Sequence, residues 1–491
     1  MFKRAFIILL LVLAVLPAHA QTDPVTIRII NTSDEHGWLE PYTPPGSQER
    51  LGGAAYVAAW WASEPGYDPD RTLILSGGDN WTGPSISTWF QGQPVVEAFN
   101  LMGYTATAIG NHEFDFGREV LAERIAESHY TYLGANIRDR ATGALADFVK
   151  PYILREIDGV TVGIIGLATT ETATTTHPAN ISDLTFAEYA PVLAEYVPQM
   201  RAAGADVVIL LSHICVDELA DLAFEVGDLV DAMFGGHCNA FVAADVNGVP
   251  VLGGGWAWRS YARLDLTVDP DSGAILDTDY ALVSVTSAEN GAISPDPALE
   301  ALVARWQAQV EDALAEEIGY TASGILRRSP QMLNLVTDAW LAAYPADVAL
   351  TNLGGFRQDI PSGPITLADI VGMLPFENRL IAVTVTGEEL AANLVCCGGA
   401  VSGITYTRLG TRVTMQWPDG RPVDPDETLI VLVNDFMYYG GDDYLFGTQD
   451  PEGYDTGIQW RQPVIDWLRA HPTTPDQPLE AVLDTTRRNR G

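Results

Sequence analysis

The chain has 491 residues, of which 47% are hydrophobic, and a formal net charge of −37. This hydrophobic content is enough for the cores of two or three domains and excludes a disordered chain. The acidic charge is spread without long acidic tracts, and it makes nucleic-acid polymers and anionic membrane surfaces poor partners.

The first 20 residues have the layout of a cleavable secretory signal. Lys3 and Arg4 precede an apolar stretch from Ala5 to Leu16, and Ala18-His19-Ala20 completes the pattern. The apolar stretch is short for a membrane span, and no cysteine follows it to carry a lipid. We therefore expect a secreted or periplasmic protein that begins at Gln21 and does not insert into a membrane. A retained anchor is the alternative.

The rest of the chain predicts two folded units joined by a helix. From Val25 to about Val285, short β-rich runs alternate with helical stretches, which is typical of layered α/β structure. Apolar residues at helical spacing over 297–317 predict a long amphipathic helix, and the segment from Gly319 to Gly324 interrupts that spacing. The prediction is a first domain over residues 24–290, a linking helix and hinge over 297–324, and a smaller second domain over 325–484.

Five apolar, strand-like runs in the first half of the chain end in side chains that can bind a metal ion. The loops beyond the carboxyl ends of strands in an α/β sheet share one edge, so ligands distant in sequence can converge there. The sequence therefore predicts a metal site at this edge. In chain order the five endings are Asp34-Glu35-His36-Gly37, Gly77-Gly78-Asp79-Asn80, Gly110-Asn111-His112-Glu113-Phe114-Asp115, Ser212-His213 and Gly235-Gly236-His237-Cys238-Asn239.

These endings supply the parts of a centre for two divalent metal ions. Such a centre needs a bridging carboxylate, for which Asp79 is the candidate, and it clamps the attacking and leaving oxygens of a displacement at phosphorus. Mixed carboxylate, amide and imidazole ligands favour Zn, Mn, Co or Fe. The expected ligands are Asp34 and His36 for the first metal, and Asn111, His213 and His237 for the second.

His112 and Asp115 are the candidate catalytic residues. They lie three apart, so a helical turn would let the carboxylate orient the imidazole. His112 is then placed beside the metals without binding one. We expect it to stabilise charge on the transferring phosphoryl group or to protonate the leaving oxygen.

Taken in order, the five motifs resemble those of the bacterial 5'-nucleotidase family of calcineurin-like metallophosphoesterases. The resemblance covers most of the chain and implies a four-layer α/β/β/α metallophosphatase domain followed by a smaller α+β nucleotide-binding domain. It fails at one position. Two residues after the Gly-Gly-His histidine the family places a His or Gln ligand of the first metal, and here Asn239 stands there with a shorter stem. We expect Asn239 to bind that metal less tightly or through a water.

The second unit carries segments that resemble the family's substrate-binding residues. Asn352-Leu353-Gly354-Gly355-Phe356-Arg357 resembles its glycine-rich segment, in which Asn352 and Gly355 approach the nucleotide and the planar guanidinium of Arg357 suits phosphate. Arg327 and Arg328 precede another family-like helix, and Arg328 is the second candidate for phosphate. The resemblance further implies that Phe376 and Phe436 stack on a base, that Asn378 hydrogen-bonds it and that Asp442 holds ribose hydroxyls.

Two residues have a different interpretation without the resemblance. Phe436 ends the strand-like run 429–436 and would be assigned to the core. His177, in Thr176-His177-Pro178, matches no family role and is interpreted as a loop residue.

The four cysteines do not form a disulfide framework. Cys215 and Cys238 flank two of the predicted metal histidines, and an oxidising compartment would allow them to pair. Cys396 and Cys397 are adjacent, so they can pair only in a strained ring. Free buried thiols are the alternative for all four.

The expected function is a secreted, monomeric hydrolase that releases phosphate from nucleoside 5'-monophosphates by attack of a metal-activated hydroxide. Hydrolysis of UDP-sugars, of nucleoside di- or triphosphates, or of 2',3'-cyclic nucleotides is the alternative within the enzyme class. A non-catalytic nucleotide-binding protein is the alternative of another class, and Asn239 is the one sequence feature in its favour.

Overall fold

A computed structural model describes residues 22–44, 47, 49–285 and 293–490. The predicted signal segment lies outside these residues. Within these ranges, no helix combines the length and the apolar composition that a membrane crossing requires.

The described residues of the first unit form fourteen strands and seven α-helices, and an eighth helix follows them. The strands are β1 Val25–Thr32, β2 Thr72–Ser76, β3 Ala106–Ala108, β4 Thr131–Leu133, β5 Ile137–Asp139, β6 Tyr152–Ile157, β7 Val160–Ala168, β8 Leu184–Phe186, β9 Val207–His213, β10 Ala232–Gly235, β11 Phe241–Val246, β12 Val249–Gly254, β13 Ser260–Asp269 and β14 Ala274–Ser284. The helices are α1 Ala54–Ser63, α2 Ser85–Thr88, α3 Gln93–Met102, α4 Gly117–Glu127, α5 Thr172–Thr175, α6 Tyr189–Ala202, α7 Val216–Val226 and α8 Pro297–Leu314.

Two six-stranded sheets form the centre of this unit. Their strand orders are β14-β13-β1-β2-β3-β4 and β11-β12-β10-β9-β7-β6. Strands β1 to β4 run parallel to one another, as do β7, β9, β10 and β12. The five strand ends predicted to carry ligands therefore lie on parallel strands of the two sheets.

Alternation of side chains along the strands creates the layers. On β9, Ile209 and Leu211 join the core between the two sheets, whereas Val208 and Leu210 join the core under α6 and α7. The outer face of the first sheet is covered by α1, α3 and α8. The result is a four-layer α/β/β/α arrangement, as the sequence predicts.

The linking helix packs against the first unit. Trp306, Val310 and Leu314 of α8 are buried in the same core as Phe99 of α3. The helix ends at Leu314 rather than near residue 317. Ile318 instead lies on a strand, because the backbone there pairs with a second strand of the following unit.

The second unit contains ten strands and six α-helices. The strands are β15 Glu317–Thr321, β16 Val348–Thr351, β17 Gly363–Thr366, β18 Arg379–Thr386, β19 Ala400–Ser402, β20 Thr405–Leu409, β21 Arg412–Gln416, β22 Thr428–Asn434, β23 Tyr454–Gln459 and β24 Asn489–Arg490. The helices are α9 Pro330–Ala343, α10 Leu367–Met373, α11 Gly387–Cys396, α12 Asp435–Tyr438, α13 Phe446–Gln449 and α14 Gln462–Ala470.

A mixed five-stranded sheet of order β19-β16-β22-β18-β23 forms the core of this unit. Helices α9, α10 and α14 cover one face, and α11 covers the other. The unit is therefore α+β, in agreement with the predicted fold class. Strand β22 ends at Asn434, so Phe436 lies beyond the strand, on α12.

Candidate functional site

The predicted metal ligands converge at the carboxyl ends of β1, β2, β3, β9 and β10. The backbone at many of them is unusual, because non-glycine residues rarely adopt positive φ. Strain of this kind persists where the surrounding structure holds it, and it concentrates at functional sites. The predicted ligands with φ between 46° and 68° are Asp34, His36, Asp79, His237 and Asn239.

Two triads of ligand atoms share the carboxylate of Asp79. Within each triad the ligand atoms lie within 4.8 Å of one another, one triad being Asp34, His36 and Asp79 and the other Asp79, His213 and His237. This shared carboxylate is the feature that a bridged pair of divalent cations requires.

Unpartnered buried oxygens fit the same interpretation. Oδ1 of Asp34 and Oδ1 of Asn111 are buried without a hydrogen-bond partner among the described residues. A buried acceptor left unpaired is costly, and coordination of a cation would satisfy both. The donor set of carboxylate, amide and imidazole groups is the mixture that Zn or Mn accepts.

The orientation of His213 also favours a bound cation. Its Nδ1 lies 2.7 Å from the carbonyl oxygen of Gly77, a contact that requires a proton on Nδ1. In the neutral ring the lone pair of Nε2 then faces Oδ2 of Asp79 at 3.1 Å. Burial by itself lowers the pKa of His213, but Asp79 outweighs it and raises the pKa to about 10, so a proton on Nε2 lies between the two atoms, and a bound cation would take the place of that proton.

The carboxylates of Asp34 and Asp79 have pKa values that are shifted in opposite directions. Burial raises the pKa of Asp34 to about 6. Burial alone would also raise the pKa of Asp79, but His213 and His112 hold it well below the usual range. Burial lowers the pKa of His36, and the Arg357 guanidinium lowers it further. Asp79 is thus the residue best suited to stay anionic between two cations.

The remaining predicted ligands lie toward the open side of the centre. The Nδ1 of His237 is 3.3 Å from the Nε2 of His213, and its Nε2 is 2.9 Å from the carboxylate of Glu171. Asn239 is exposed. The structure joins Cys215 to Cys238 across a Cα separation of 5.2 Å, and Cys396 to Cys397. The first disulfide ties together the loops that carry His213 and His237.

Two buried glutamates that the sequence analysis left without a role support the ligand loops. The carboxylate of Glu113 accepts the backbone N–H groups of Asp79 at 3.0 Å, Asn80 at 2.7 Å and Gly110 at 2.6 Å. Burial raises its pKa to about 7, and burial raises that of Glu35 to about 8. An acid among the ligand residues of a strand-end motif is the signal by which such a supporting residue can be recognised.

His112 and Asp115 are brought together as predicted. A 3-10 turn over Asn111–Phe114 places Nδ1 of His112 2.8 Å from Oδ2 of Asp115. The Nε2 of His112 then lies 3.9 Å from Oδ2 of Asp79. Burial by itself lowers the pKa of His112, but Asp115 and Asp79 outweigh it, and the pKa is raised above its ordinary value.

Both units line one cavity of about 510 Å³ beside this centre. The guanidinium of Arg357 reaches across to the first unit, with Nη2 3.1 Å from Nε2 of His36. The ring of Phe376 lies 5.7 Å from that of His112, at 21° between planes. The predicted site residues that line the cavity are His36, Asp79, Asn111, His112, Asp115, His237, Asn239, Asn352, Gly355, Arg357, Phe376, Asn378, Phe436 and Asp442.

Three predicted site residues do not line the cavity. Asp34 and His213 are fully buried and lie behind its wall. Arg328 is turned away, because its Nε donates to the carbonyl oxygen of Leu353 at 3.1 Å. Arg357 is therefore the arginine that meets the cavity.

Internal contacts fix the substrate side of the cavity. The amide of Asn352 donates to Asp442 at 2.8 Å. Gly441 lies flat against Phe436, where a Cβ atom would come within 2.3 Å of the ring. The indole N–H of Trp460 donates to the carbonyl oxygen of Phe376 at 2.7 Å. Trp460 was not predicted, and its place between β23 and α14 gave no signal of this role.

Comparisons with known proteins agree with these features. A family model for the 5'-nucleotidase C-terminal domain matches residues 315–448. The chain is 26% identical to the 5'-nucleotidase of Vibrio cholerae, over 91% of this chain and 90% of that protein. The solved structure of a 5'-nucleotidase precursor from Thermus thermophilus superposes with a TM-score of 0.82 at 25% identity, covering 95% of this chain and 99% of that one.

Some relatives are much longer. The chain is 26% identical to Endonuclease YhcR of Bacillus subtilis over 95% of this chain, but it covers only 40% of that protein. It covers 65% and 31% of two further relatives. The chain thus spans the shared architecture and not the additional length of these relatives. By its matched second domain, its overall fold and its relatives, the chain resembles the 5'-nucleotidase family.

Proposed function

We propose that the chain is a metal-dependent 5'-nucleotidase that converts a nucleoside 5'-monophosphate and water to nucleoside and phosphate. One observation carries the proposal: a single cavity is lined by the shared metal-ligand cluster of the first unit and by Arg357, Phe376 and Phe436 of the second. A phosphate at the first unit and a base at the second fit a nucleotide bound across both.

The metal ligands proposed are Asp34, His36 and Asp79 for one cation, with Asn239 as a weak or water-mediated addition, and Asp79, Asn111, His213 and His237 for the other. Two divalent cations bound there would supply Lewis-acid activation of water and neutralisation of phosphate charge. Their identity among Zn, Mn, Co and Fe belongs to the same proposal.

The protein's own residues complete the reaction. Arg357 places its guanidinium beside His36, where it binds a non-bridging phosphate oxygen. Asp115 holds the imidazole of His112 through Nδ1, so that Nε2 is free to donate. As the oxygen of water bonds to phosphorus and the bond to the ribose O5' breaks, that proton passes from Nε2 to O5'.

The substrate end is assigned by the same placement. Phe376 and Phe436 provide ring faces for a base, and such stacking accepts any base. Asn378 hydrogen-bonds the base, and Asp442, held by Asn352, accepts from ribose hydroxyls. Gly355 lies against Trp460 and lets the backbone approach.

Domain boundaries and location are part of the proposal. We infer a first domain over 24–290 and a second over 325–484, with the segment 297–324 between them. Among the described strands no sheet joins the two domains, although β15 of the linking segment pairs with β17, and β24 beyond residue 484 pairs with β20. Secretion, a monomeric state and a role in nucleotide catabolism belong to the proposal. The charge and apolar pattern of residues 1–20 supports secretion, as does the name of the Thermus thermophilus relative, a precursor.

The test is phosphate release from AMP by the protein after removal of metals with a chelator and separate addition of Mn, Zn, Co or Mg. We expect release that depends on the added ion. UDP-glucose, ADP and 2',3'-cyclic AMP are assayed alongside. If one of these compounds is hydrolysed faster than AMP, that compound class is the substrate instead of the monophosphate. If no metal supports hydrolysis of AMP or of these compounds, the proposal is contradicted.

A further inference from the structure

Asp435 lies in the nucleotide-binding half of the cavity, and the family resemblance assigns it no role. It is the first residue of α12, directly after β22, and its neighbour Phe436 is the proposed base-stacking ring. Its side chain lines the cavity and is mostly buried, with 16% of its surface exposed. A mostly buried carboxylate in a substrate cavity needs an explanation.

One oxygen of Asp435 fixes the orientation of Asn378. The Nδ2 of Asn378 lies 2.6 Å from Oδ1 of Asp435. A carboxylate can only accept, so the amide must present its NH₂ group to Asp435. Its carbonyl oxygen is thereby directed away from Asp435, and among the described residues it has no hydrogen-bond partner. Asn378 therefore meets a ligand mainly as an acceptor.

The second oxygen of Asp435 is free to accept from a ligand. Its nearest ionisable neighbour is His177 of the first unit, whose Nε2 lies 3.9 Å away, beyond hydrogen-bond reach. The Nδ1 of His177 accepts the N–H of Ala179 at 3.3 Å, so the ring proton is on Nε2 and faces Asp435. The Nε2–H of His177 thus faces the carboxylate of Asp435 from the other unit without forming a hydrogen bond to it.

We propose that Asp435 is a specificity-determining residue that selects nucleobases with an exocyclic amino group. This inference rests on the proposed nucleotidase function and concerns its choice of base. Asp435 and Asn378 line the cavity together with the stacking rings, and each has one acceptor left for a ligand, Oδ2 of Asp435 and Oδ1 of Asn378. They accept from the amino group of adenine or cytosine and repel the carbonyl oxygen that hypoxanthine or uracil presents at the same position.

The test compares kcat/KM for the matched pairs AMP and IMP, and CMP and UMP. The amino-bearing base gains a hydrogen bond to a charged group, whereas the carbonyl-bearing base is repelled. We therefore expect kcat/KM to favour the amino-bearing base by about 10- to 100-fold. In the Asp435→Asn variant an amide replaces the carboxylate and can donate to a carbonyl, so both ratios should fall to near one.

The matched control is Asp443→Asn. Asp443 is exposed, lies a few residues further along the same segment and does not line the cavity. The AMP to IMP ratio of this variant should equal that of the unchanged protein. Equal kcat/KM for AMP and IMP in the unchanged protein, or an unaltered ratio in Asp435→Asn, would overturn the assignment.

A binding measurement separates this inference from the proposed function. Calorimetric titration of the metal-loaded protein with adenosine and with inosine reports base preference without turnover. Tighter binding of adenosine that is lost in Asp435→Asn supports the inference even if no nucleotide is hydrolysed. Equal binding of both nucleosides would overturn it even if AMP is a good substrate.

Discussion

His112 combines the geometry of a proton donor with a position beside the shared carboxylate. Its Nδ1 is held by Asp115 at 2.8 Å, and its ring faces Phe376 across the cavity. Neither triad of ligand atoms includes it. Its substitution should therefore affect the chemical step more than the binding of metal or nucleotide.

We expect His112→Ala to lower kcat for AMP by about 100- to 10,000-fold, the usual contribution of a positioned general acid, with KM changed little. Steady-state kinetics with the preferred metal measures both. His129→Ala is the matched control, because His129 is exposed and does not line this cavity. A His112→Ala variant with kcat near that of the unchanged protein would remove His112 from the mechanism.

At the scale of elements, the residue pattern alone predicted the strand ends, whereas the cavity wall of the second unit was predicted only through the family resemblance. The ligands of β1, β2, β3, β9 and β10 follow local apolar runs, and parallel pairing necessarily brings those ends to one edge. The 3-10 turn that joins His112 to Asp115 is also local. What a sequence does not contain is the pairing of distant segments.

His177 and Phe436 illustrate the second case. His177 lies in a loop, as the sequence predicts, but it also lines the cavity and faces Asp435, which is 258 positions away by residue number, and no sequence pattern indicated that contact. Without the family resemblance, Phe436 would have been assigned to a buried strand. The strand ends at Asn434 instead, because the Asn434 side chain accepts the N–H of Met437 and caps a new helix.

The segment that follows β15 is held by one carboxylate of the second unit. Glu480 accepts from the hydroxyl of Thr321 and from the backbone and hydroxyl of Ser323. Burial alone would raise the pKa of Glu480, but the hydrogen bonds from Thr321 and Ser323 outweigh it and hold the pKa at about 2. These hydrogen bonds attach the segment 319–324, which the sequence predicted as a hinge, to Glu480 of the second unit.

We expect Glu480→Gln to lower the free energy of unfolding at pH 7 by about 1 kcal/mol, since neutral hydrogen bonds replace charged ones at a partly exposed site. Because the folded pKa is depressed, the contribution of Glu480 is present above the unfolded value of 4.5 and is lost as pH falls toward about 2. In thermal unfolding between pH 7 and pH 3, the midpoints of Glu480→Gln and of the unchanged protein should converge as the pH falls. Glu452→Gln, at an exposed position, should show no pH-dependent difference, and a constant gap for Glu480→Gln would contradict the assignment.

At the scale of the whole molecule, the two units contact each other at the candidate metal centre. Arg357 and Phe376 of the second unit lie against His36 and His112 of the first. The same region buries the carboxylates of Asp34 and Asp79 in a chain of formal charge −37. Without cations, burial and the neighbouring Asp79 oppose ionisation of Asp34 and raise its pKa to about 6, and bound cations would neutralise both carboxylates.

Removal of metal should therefore lower the thermal midpoint. A cation at 100 times its dissociation constant adds about 2.7 kcal/mol to the free energy of unfolding, which corresponds to a rise of several degrees in the midpoint of a domain of this size.

Asp79→Asn separates this effect from general damage to the fold. It removes an anion that His213 and His112 stabilise, so the chelated variant should unfold at or below the midpoint of the chelated unchanged protein, and added Mn or Zn should barely raise that lower midpoint. Calorimetric scans of both proteins, with chelator and with each ion, measure these four midpoints. If Asp79→Asn gains as much stability from the ion as the unchanged protein does, the shared carboxylate is not a ligand.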